Sequence, residues 1–200
     1  MRVLVACEYS GTVREAFRAL GHDAMSCDLL PTEREGPHHQ GDVFDVIGDG
    51  WDLMVAHPPC TFLTVSGNKW MKPEYADRFP TRHQDREDAL AFVSALMAAP
   101  IPRIAVENPI SVISSRIRRP DQVIQPWMFG HGETKATCLW LKGLPKLTPT
   151  NVVEGRADRL HRLPPSADRW KERSRTFEGI AQAMAEQWSK PDGELFGQAA

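Results

Sequence analysis

The sequence predicts an α/β fold in which a mostly parallel sheet carries helices on both faces. Apolar runs such as Leu53–Ala56 and residues 103–106 are too short for helices and lack the polar alternation of half-exposed strands. Segments of helical period, such as residues 85–98, alternate with these runs. Buried strands that alternate with helices favour βαβ units and therefore a parallel sheet.

The first unit of this fold is predicted within residues 1–28. The β-branched run Arg2–Ala6 predicts a strand, and residues 12–15 have the Thr-x-x-Glu pattern of a capping box that starts a helix. Gly21 is the expected C′ residue of that helix, and a second strand over residues 23–27 closes on Asp28. The apolar face of the helix consists of Val13, Ala16, Phe17 and Leu20. This arrangement is a β-turn-α-β unit with an acidic residue just past its second strand.

Such a unit suits a nucleotide-like ligand. The start of the helix offers backbone N–H donors, and a carboxylate can accept hydrogen bonds from ribose hydroxyls. The turn lacks the Gly-x-Gly-x-x-Gly pattern, and a single carboxylate such as Asp28 is more often an exposed turn residue than a ligand. The motif therefore indicates a nucleotide site only weakly when it is taken alone.

Residues 32–40 are predicted to form a polar loop. His38 and His39 are expected to face solvent, because no third metal ligand stands at a suitable spacing, and no metal site is predicted. Residues 41–47 give a third short element before the run Leu53–Ala56.

A stiff loop is predicted after Leu53–Ala56. Pro58 and Pro59 have fixed φ angles and no backbone donors, so the strand must stop at His57 and the thiol of Cys60 is held in one place. Rigid placement is what a nucleophile requires. Cysteine is also commonly a small buried residue, so these four residues alone leave both interpretations open.

A second strand is predicted to end beside this loop. The buried run 103–106 ends on Glu107, followed by Asn108 and Pro109. Because the carboxyl ends of neighbouring parallel strands lie along one edge of a sheet, Glu107 and Cys60 should face the same crevice.

The remaining segments complete a single predicted domain over residues 1–188. We expect a mobile lid at 65–82, a helix at 85–98, a strand at 134–141, a loop with little regular structure at 142–175, a helix at 176–188 and a flexible tail at 189–200. The last helix has an apolar stripe that belongs to the core, formed by Phe177, Ile180, Ala181, Met184, Ala185 and Trp188.

Composition and charge narrow the class of protein. The 200 residues are 42% hydrophobic and 25% charged, as in one globular domain, with no apolar run or leader pattern that would predict a membrane span or a signal peptide. We therefore expect a cytoplasmic protein, with Cys7, Cys27, Cys60 and Cys138 as reduced thiols.

Residues 111–175 carry 13 basic and 6 acidic side chains, against 10 basic and 16 acidic side chains in residues 1–110. That block is either a nucleic-acid face or a scattered solvated surface.

A fixed cysteine beside a glutamate has a specific use if the substrate is a pyrimidine. The thiolate can add to ring carbon 6 while the carboxyl group hydrogen-bonds ring nitrogen 3 and the exocyclic amine. Carbon 5 then becomes nucleophilic and can take a methyl group from a sulfonium donor, whose adenosine half would occupy the first β-turn-α-β unit.

With these motifs in their order, the sequence resembles the DNA cytosine-5 methyltransferases, and in particular their short, phage-type members. Pro58-Pro59-Cys60 resembles the family's Pro-Pro-Cys motif, and Glu107-Asn108 its Glu-Asn-Val motif, here with Pro109 third. The segment Glu133-x-Lys135 resembles a diverged Gln-x-Arg motif, and residues 173–181 stand at the place of the last donor-binding motif.

The resemblance implies a Rossmann-like methyltransferase fold, S-adenosyl-L-methionine as the methyl donor, and DNA with a flipped-out cytosine as the partner. It implies catalytic roles for Cys60, Glu107, Pro59 and Lys135. It also implies donor binding by a larger set, in which Asp28 meets the ribose and Asp42 the adenine: Cys7, Glu8, Tyr9, Ser10, Gly11, Asp28, Asp42, His57, Pro58 and Gly179.

Several positions depart from the family pattern. The first loop lacks Phe-x-Gly-x-Gly, His57 replaces a small residue, and Lys135 replaces an arginine, which loses bidentate contacts. Only a short basic loop, residues 142–175, stands where the family has a target-recognition domain.

Three other readings of the function remain open. The first is an amino-methyltransferase, because a Pro-Pro pair also occurs in the catalytic loop of those enzymes. An aromatic residue follows the pair there, whereas Cys60 follows it here. The chain could also be a non-catalytic donor-binding or nucleic-acid-binding protein that retains the fold, or an enzyme for free pyrimidine nucleotides or RNA.

Overall fold

The computed structural model describes residues 1–190, which form a seven-stranded sheet with helices on both faces. The strands are β1 (Arg2–Ala6), β2 (Asp23–Asp28), β3 (His38–Gln40), β4 (Leu53–Ala56), β5 (Arg103–Pro109), β6 (Gln122–Ile124) and β7 (Thr137–Lys142). The helices are α1 (Thr12–Ala19), α2 (Arg82–Ala98), α3 (Ile113–Arg116), α4 (Arg159–Arg162), α5 (Arg169–Ser174) and α6 (Glu178–Trp188). Of the predicted tail, residues 191–200 lie outside the described part of the chain.

The strand order is β3-β2-β1-β4-β5-β7-β6. The first five strands of this order pair in parallel, and β7 runs antiparallel to both β5 and β6. The predicted α/β class with a mostly parallel sheet is therefore confirmed. No helix within residues 1–190 has the length and apolar character needed to cross a membrane.

Alternate residues of the central strands face two separate cores, as expected for strands buried on both sides. On one face, the strands pack against Leu90, Val93 and Leu96 of α2. On the other, they pack against Phe17 of α1 and the apolar stripe of α6, where Trp188 is fully buried. The predicted core role of the last helix is confirmed, whereas Leu20 of the first predicted face is 46% exposed.

Helix α1 is capped by a residue that the sequence pattern did not indicate. Thr12 is already helical, so the predicted capping box is wrong. The buried carboxylate of Glu8 accepts hydrogen bonds from the backbone N–H groups of Val13 at 2.7 Å and Arg14 at 3.2 Å. Because a carboxylate satisfies free donors and favours the positive end of the helix dipole, Glu8 performs the capping role. At the other end, Gly21 has a φ of 80° and is the predicted C′ residue.

Several other boundaries differ from the prediction. Residues His38–Gln40 form an edge strand instead of loop, with Nδ1 of His38 2.8 Å from Oγ of Ser26, so His38 is not simply solvent-facing. The third short element is a 3₁₀ helix, Val43–Asp45. The segment predicted as a lid holds two further 3₁₀ helices, Val65–Met71 and Pro73–Tyr75.

The largest boundary change concerns the strand predicted to end at Glu107. Its pairing with β4 ends at Val106, but its pairing with β7 continues to Pro109, because an antiparallel neighbour lies on its other side. Strand β7 begins at Thr137 rather than at 134, and β6 was not predicted. The basic loop contains the short helices α4 and α5.

Candidate active site

The carboxyl edges of β4 and β5 bring the predicted nucleophile loop and the predicted acid together. The two strands pair as far as Ala56 and Val106, so His57 and Glu107 are the next residues on adjacent strands. His57 still donates its backbone N–H to the carbonyl of Ala6, at 2.9 Å. The loop that carries Cys60 therefore starts from a fixed point at the centre of the sheet.

The loop is held from two sides. Nδ2 of Asn108, whose side chain is buried, donates to the carbonyl oxygen of Pro58 at 2.9 Å. Beyond it, the carbonyl of Cys60 accepts from the backbone N–H groups of Leu63 and Thr64, both at 3.0 Å. The rigid placement of Cys60 that the two prolines predict thus has additional support from Asn108, a contact that no local sequence pattern reveals.

The thiol of Cys60 is partly buried. Burial raises its pKa and the negative charge of Glu107 raises it further, whereas the charges of Lys135 and Arg173 and the backbone N–H of Cys60 lower it. The net shift is upward, so the thiol form dominates at neutral pH. Glu107, Lys135 and Arg173 are thus the charged side chains that influence the sulfur.

Glu107 has 12% of its side chain exposed. Burial acts to raise its pKa, but the hydrogen bond with His57, the charges of Lys135 and His57 and, last, the nearby hydroxyl of Thr137 outweigh burial and lower the pKa. That hydroxyl donates its hydrogen to the carbonyl of Lys135 at 3.1 Å. Glu107 is therefore ionised at neutral pH. Thr137 was not predicted as a site residue, because a hydroxyl at the start of a strand carries no signal of its own.

His57 lies against Glu107 rather than against a donor site. Its Nδ1 is 3.2 Å from Oε2 of Glu107, and 9% of its side chain is exposed. Its Nε2 is buried and has no hydrogen-bond partner among residues 1–190. The donor-binding role of His57, which the resemblance implies, stays a prediction, and the contact that its side chain makes is with the predicted acid.

Lys135 reaches the same group of side chains from the segment before β7. Its backbone N–H is held by Oε1 of Gln125 at 2.9 Å, and its Nζ donates to the carbonyl of Arg175 at 3.1 Å. Its charge acts on both Cys60 and Glu107. Three residues predicted to be catalytic therefore lie together, although they are far apart in sequence.

A cavity of about 420 Å³ opens beside this group, between the ends of β1 and β2 and helix α2. Four predicted site residues line it, namely Cys7, Asp28, Asp42 and Pro59. Apolar walls come from Val43, Phe62, Ala89 and Phe92, among others. Asp85 and Asp88 of α2 add two carboxylates to the lining. They were not predicted as site residues, because the sequence pattern of α2 indicates only its apolar face. The cavity therefore combines apolar walls with four carboxylates.

Two of these carboxylates are fixed by backbone contacts. Oδ1 of Asp28 accepts from the N–H of Leu30 at 2.9 Å, and Oδ1 of Asp42 accepts from the N–H of Phe44 at 3.0 Å. Burial raises the pKa of Asp28, and the backbone N–H groups of residues 29 and 30 and the charge of His38 oppose that rise. Each contact engages one oxygen and orients the carboxylate at the cavity wall.

The predicted first donor loop contributes less to the cavity than expected. Of residues 7–11, Cys7 is the one that lines it, with a left-handed φ of 58°. Glu8 is engaged in capping α1, and Oγ of Ser10 donates to Glu8 at 3.2 Å. The hydroxyl of Tyr9 lies 3.2 Å from Oγ of Ser174. The N–H groups of Val13 and Arg14, expected to be free for a ligand, are occupied by Glu8.

Packing accounts for three further predicted positions. Gly11 has a φ of 71°, and a Cβ there would meet the guanidinium of buried Arg14. A Cβ at Gly179 would collide with the carbonyl oxygen of Phe129. Pro58 is buried, with its carbonyl held by Asn108. Within residues 1–190, no three His, Cys, Asp or Glu side chains are grouped so as to hold a metal ion.

The sheet and its carboxyl-edge cavity define a Rossmann-like α/β fold. Among solved structures, the chain is similar to an E. coli protein that bears the provisional name of a DNA modification methyltransferase encoded within a prophage, with a TM-score of 0.50 and 15% identity. The match covers 82% of this chain and 55% of the other, so the chain spans about half of that protein's length. No family model and no curated protein matches the chain. At this level of identity the likeness concerns the fold.

Proposed function

We propose that the protein transfers a methyl group from S-adenosylmethionine to carbon 5 of cytosine in DNA through a covalent adduct of Cys60. The observation that carries this proposal is the placement of Cys60 and Glu107 at one edge of a methyltransferase-type sheet, beside a cavity of about 420 Å³. Residues 1–188 would form the catalytic domain, with residues 142–175 in place of a target-recognition domain.

The cavity fits the donor in size and in chemistry. Ligand pockets span roughly 300–1,000 Å³, and this one joins apolar walls to carboxylates. Asp28 and Asp42 would accept hydrogen bonds from the ribose and the adenine, and Phe92 would contact the adenine ring. The four carboxylates suit a positively charged sulfonium compound. When bound, the donor supplies an electrophilic methyl group.

Cys60 and Glu107 would make carbon 5 of the base nucleophilic. The thiolate forms a bond to carbon 6, the electrons of the carbon 5–carbon 6 double bond move toward carbon 4, and nitrogen 3 takes a proton on the Glu107 side. Carbon 5 would then bond to the methyl group as the methyl–sulfur bond of the donor breaks, and S-adenosylhomocysteine would leave with that electron pair. Loss of the hydrogen at carbon 5, cleavage of the sulfur–carbon bond and return of the nitrogen 3 proton restore the aromatic ring.

The charges around Cys60 favour this sequence of events. In the free protein, burial raises the pKa of the Cys60 thiol most, and the carboxylate of Glu107 raises it further. When Glu107 interacts with a proton on the base, that repulsion weakens, and the positive charges of Lys135 and Arg173 then favour the thiolate. The nucleophile would therefore be activated mainly when a base is bound.

DNA is the substrate that we favour. The excess of basic side chains in residues 111–175 supports binding to phosphates, and the solved structural neighbour bears the name of a DNA modification methyltransferase. Some of these side chains are already engaged, since Arg159 pairs with Glu133 and Arg175 with Glu33. The basic surface is therefore smaller than the charge count suggests. A surface of this size favours contacts to the DNA phosphates over recognition of a long base sequence. The target cytosine would be flipped out of the duplex.

Parallel incubations with tritiated S-adenosylmethionine and duplex DNA, RNA or free cytidine nucleotides test this function. We expect label in DNA, recovered as 5-methylcytosine after hydrolysis. Cys60→Ser should remove the label, and Cys138→Ala, which alters a buried cysteine of β7, should retain it. Label in RNA or nucleotide would contradict the DNA assignment. An N-methylated base would indicate an amino-methyltransferase, and bound donor without any transfer would contradict an enzymatic role.

A further inference from the structure

We propose that His57 is a positioning residue that holds Glu107 and stores the proton which Glu107 passes to nitrogen 3 of the base. This inference rests on the proposed function and assigns a role that the Pro-Pro-Cys and Glu-Asn motifs do not contain. It makes the acid of the site a histidine–glutamate pair rather than a single carboxyl group.

The geometry of the pair carries the proposal. Nδ1 of His57 lies 3.2 Å from Oε2 of Glu107, and the two side chains are 9% and 12% exposed. An ionised carboxylate can only accept hydrogen bonds, so Nδ1 carries the hydrogen in this contact. His57 is also anchored through its backbone N–H to Ala6 in the centre of the sheet. His57, whose backbone is fixed to the sheet and whose side chain is 9% exposed, therefore orients Oε2 of Glu107.

Glu107 needs a proton from elsewhere to act as an acid. Its pKa is lowered, so it is ionised before the base arrives and has no proton of its own to give. A histidine in direct contact is the side chain best suited to hold an exchangeable proton near neutral pH. Nε2 of His57 is buried without a partner among residues 1–190, so the contact with Glu107 is the described side-chain hydrogen bond that holds the ring.

One proton moves through the His57–Glu107 pair when the sulfur attacks carbon 6. In the proposed step, the pair begins with the stored proton on His57 and with Glu107 ionised, and the thiol proton of Cys60 has passed to solvent. As the sulfur–carbon 6 bond forms, nitrogen 3 takes a proton from the carboxyl group, which receives the Nδ1 proton of His57. The pair then consists of neutral His57 and ionised Glu107, and the proton returns when the sulfur–carbon bond breaks.

Other charged and titratable groups face this pair. Cys60 lies on the loop after β4, Lys135 on the segment before β7, and Cys138 on β7. Burial raises the pKa of the Cys138 thiol, and the charge of Glu107 raises it further. The positive charge of Arg173 lowers the pKa of the neighbouring Cys60 thiol. Ionisation of the Cys60 thiol makes the rate of adduct formation rise with pH, because the thiolate is the attacking form. A fall in rate at alkaline pH would therefore report the pair or Lys135.

The test measures single-turnover adduct formation with DNA that contains 5-fluorodeoxycytidine, at saturating S-adenosylmethionine. His57→Asn keeps an N–H donor for Glu107 but stores no proton, and should slow the adduct about 100-fold without changing donor binding. The wild type should lose rate at alkaline pH and His57→Asn should not. Lys135→Met, although slower, should keep the alkaline decline. His83→Asn, at an exposed histidine of α2, should behave as the wild type.

A double variant separates the proposal from a purely structural role. His57→Asn combined with Glu107→Gln should be no slower than Glu107→Gln alone, because both changes act on the same proton. Losses that multiply, or a wild-type rate in His57→Asn, would overturn the proposal. If His57→Asn does not fold, His57→Gln carries the same expectations. A wild-type protein that binds donor but forms no adduct would instead contradict the proposed function.

Discussion

Asn108 donates a hydrogen bond from Nδ2 to the carbonyl oxygen of Pro58, at 2.9 Å, and so ties the strand that carries Glu107 to the loop that carries Cys60. The two motifs thus form one mechanical unit across β4 and β5. A small displacement of either one would separate the nucleophile from the acid, which links the packing of this edge directly to the proposed reaction.

Replacement of Asn108 by alanine should test that unit. The carbonyl of Pro58 would lose its buried donor, so we expect the free energy of unfolding to fall by about 1–3 kcal/mol and adduct formation to slow by about 10-fold or more. Donor binding should be unchanged, since Asn108 is not among the residues that line the cavity. Urea unfolding and adduct kinetics measure the two effects. A stable Asn108→Ala variant with wild-type kinetics would show that the contact has no role in placing Cys60.

The capping of α1 by Glu8 makes a second prediction. Glu8→Ala removes the acceptor for two backbone N–H groups, and we expect it to lower the free energy of unfolding by about 1–2 kcal/mol. Thr12→Ala is the matched change at the residue that the sequence pattern favoured, and it should cost less than half as much. Chemical denaturation measures the free energy of unfolding of both variants. A larger loss in Thr12→Ala than in Glu8→Ala would contradict the capping role of Glu8 and support the predicted capping box.

Donor binding is tested by thermal stability. S-Adenosylmethionine at 100 times its dissociation constant should stabilise the fold by about 2.7 kcal/mol, which corresponds to a rise in Tm of roughly 5–10 °C for a chain of this size. Asp28→Asn, Asp42→Asn and Asp88→Asn should each reduce the shift, because these carboxylates line the cavity. Asp45→Asn, on the same 3₁₀ helix as Val43, is the control. No shift in the wild type at millimolar donor would remove the methyltransferase proposal.

DNA binding should be dominated by phosphate contacts. Affinity should fall with salt with a slope of about −0.9 per phosphate contacted, and a mismatched cytosine should bind at least as well as a paired one, because it is easier to flip. Arg173→Ala should reduce the slope by about 1. Arg159→Ala should have a smaller effect, since Arg159 is paired with Glu133. Fluorescence anisotropy over a salt series measures both. A long, salt-insensitive recognition sequence would be inconsistent with this surface.

The parts of the fold that could be predicted are those with a strong local signal. Leu53–Ala56 and residues 103–106 are continuous apolar runs, and the stripe of α6 has a clear helical period. Strands β3 and β6 have three residues each, and their sequences, HHQ and QVI, show no pattern that distinguishes them from loop. They exist because a neighbouring strand offers backbone partners, which is a tertiary effect.

The candidate site divides in a similar way. Parallel strand ends share an edge, so the nearness of Cys60 and Glu107 could be predicted from topology. The contact between His57 and Glu107, the nearness of Thr137 to Glu107 and the carboxylates of α2 depend on side-chain directions that local sequence does not specify. The capping role of Glu8 was missed because it precedes α1 by several residues and folds back onto it.

The most direct test of the proposed reaction is the covalent product formed with DNA that contains 5-fluorodeoxycytidine. Fluorine at carbon 5 cannot leave as a cation, so the reaction should stop after methyl transfer as an adduct that survives a denaturing gel and requires S-adenosylmethionine. Cys60→Ser should give no adduct, because a serine hydroxyl is a much weaker nucleophile near neutral pH. Glu107→Gln should form it slowly, because the amide cannot transfer a proton. Peptide mapping should place the DNA on the segment that contains Cys60, and attachment at Cys7, Cys27 or Cys138 would contradict the account.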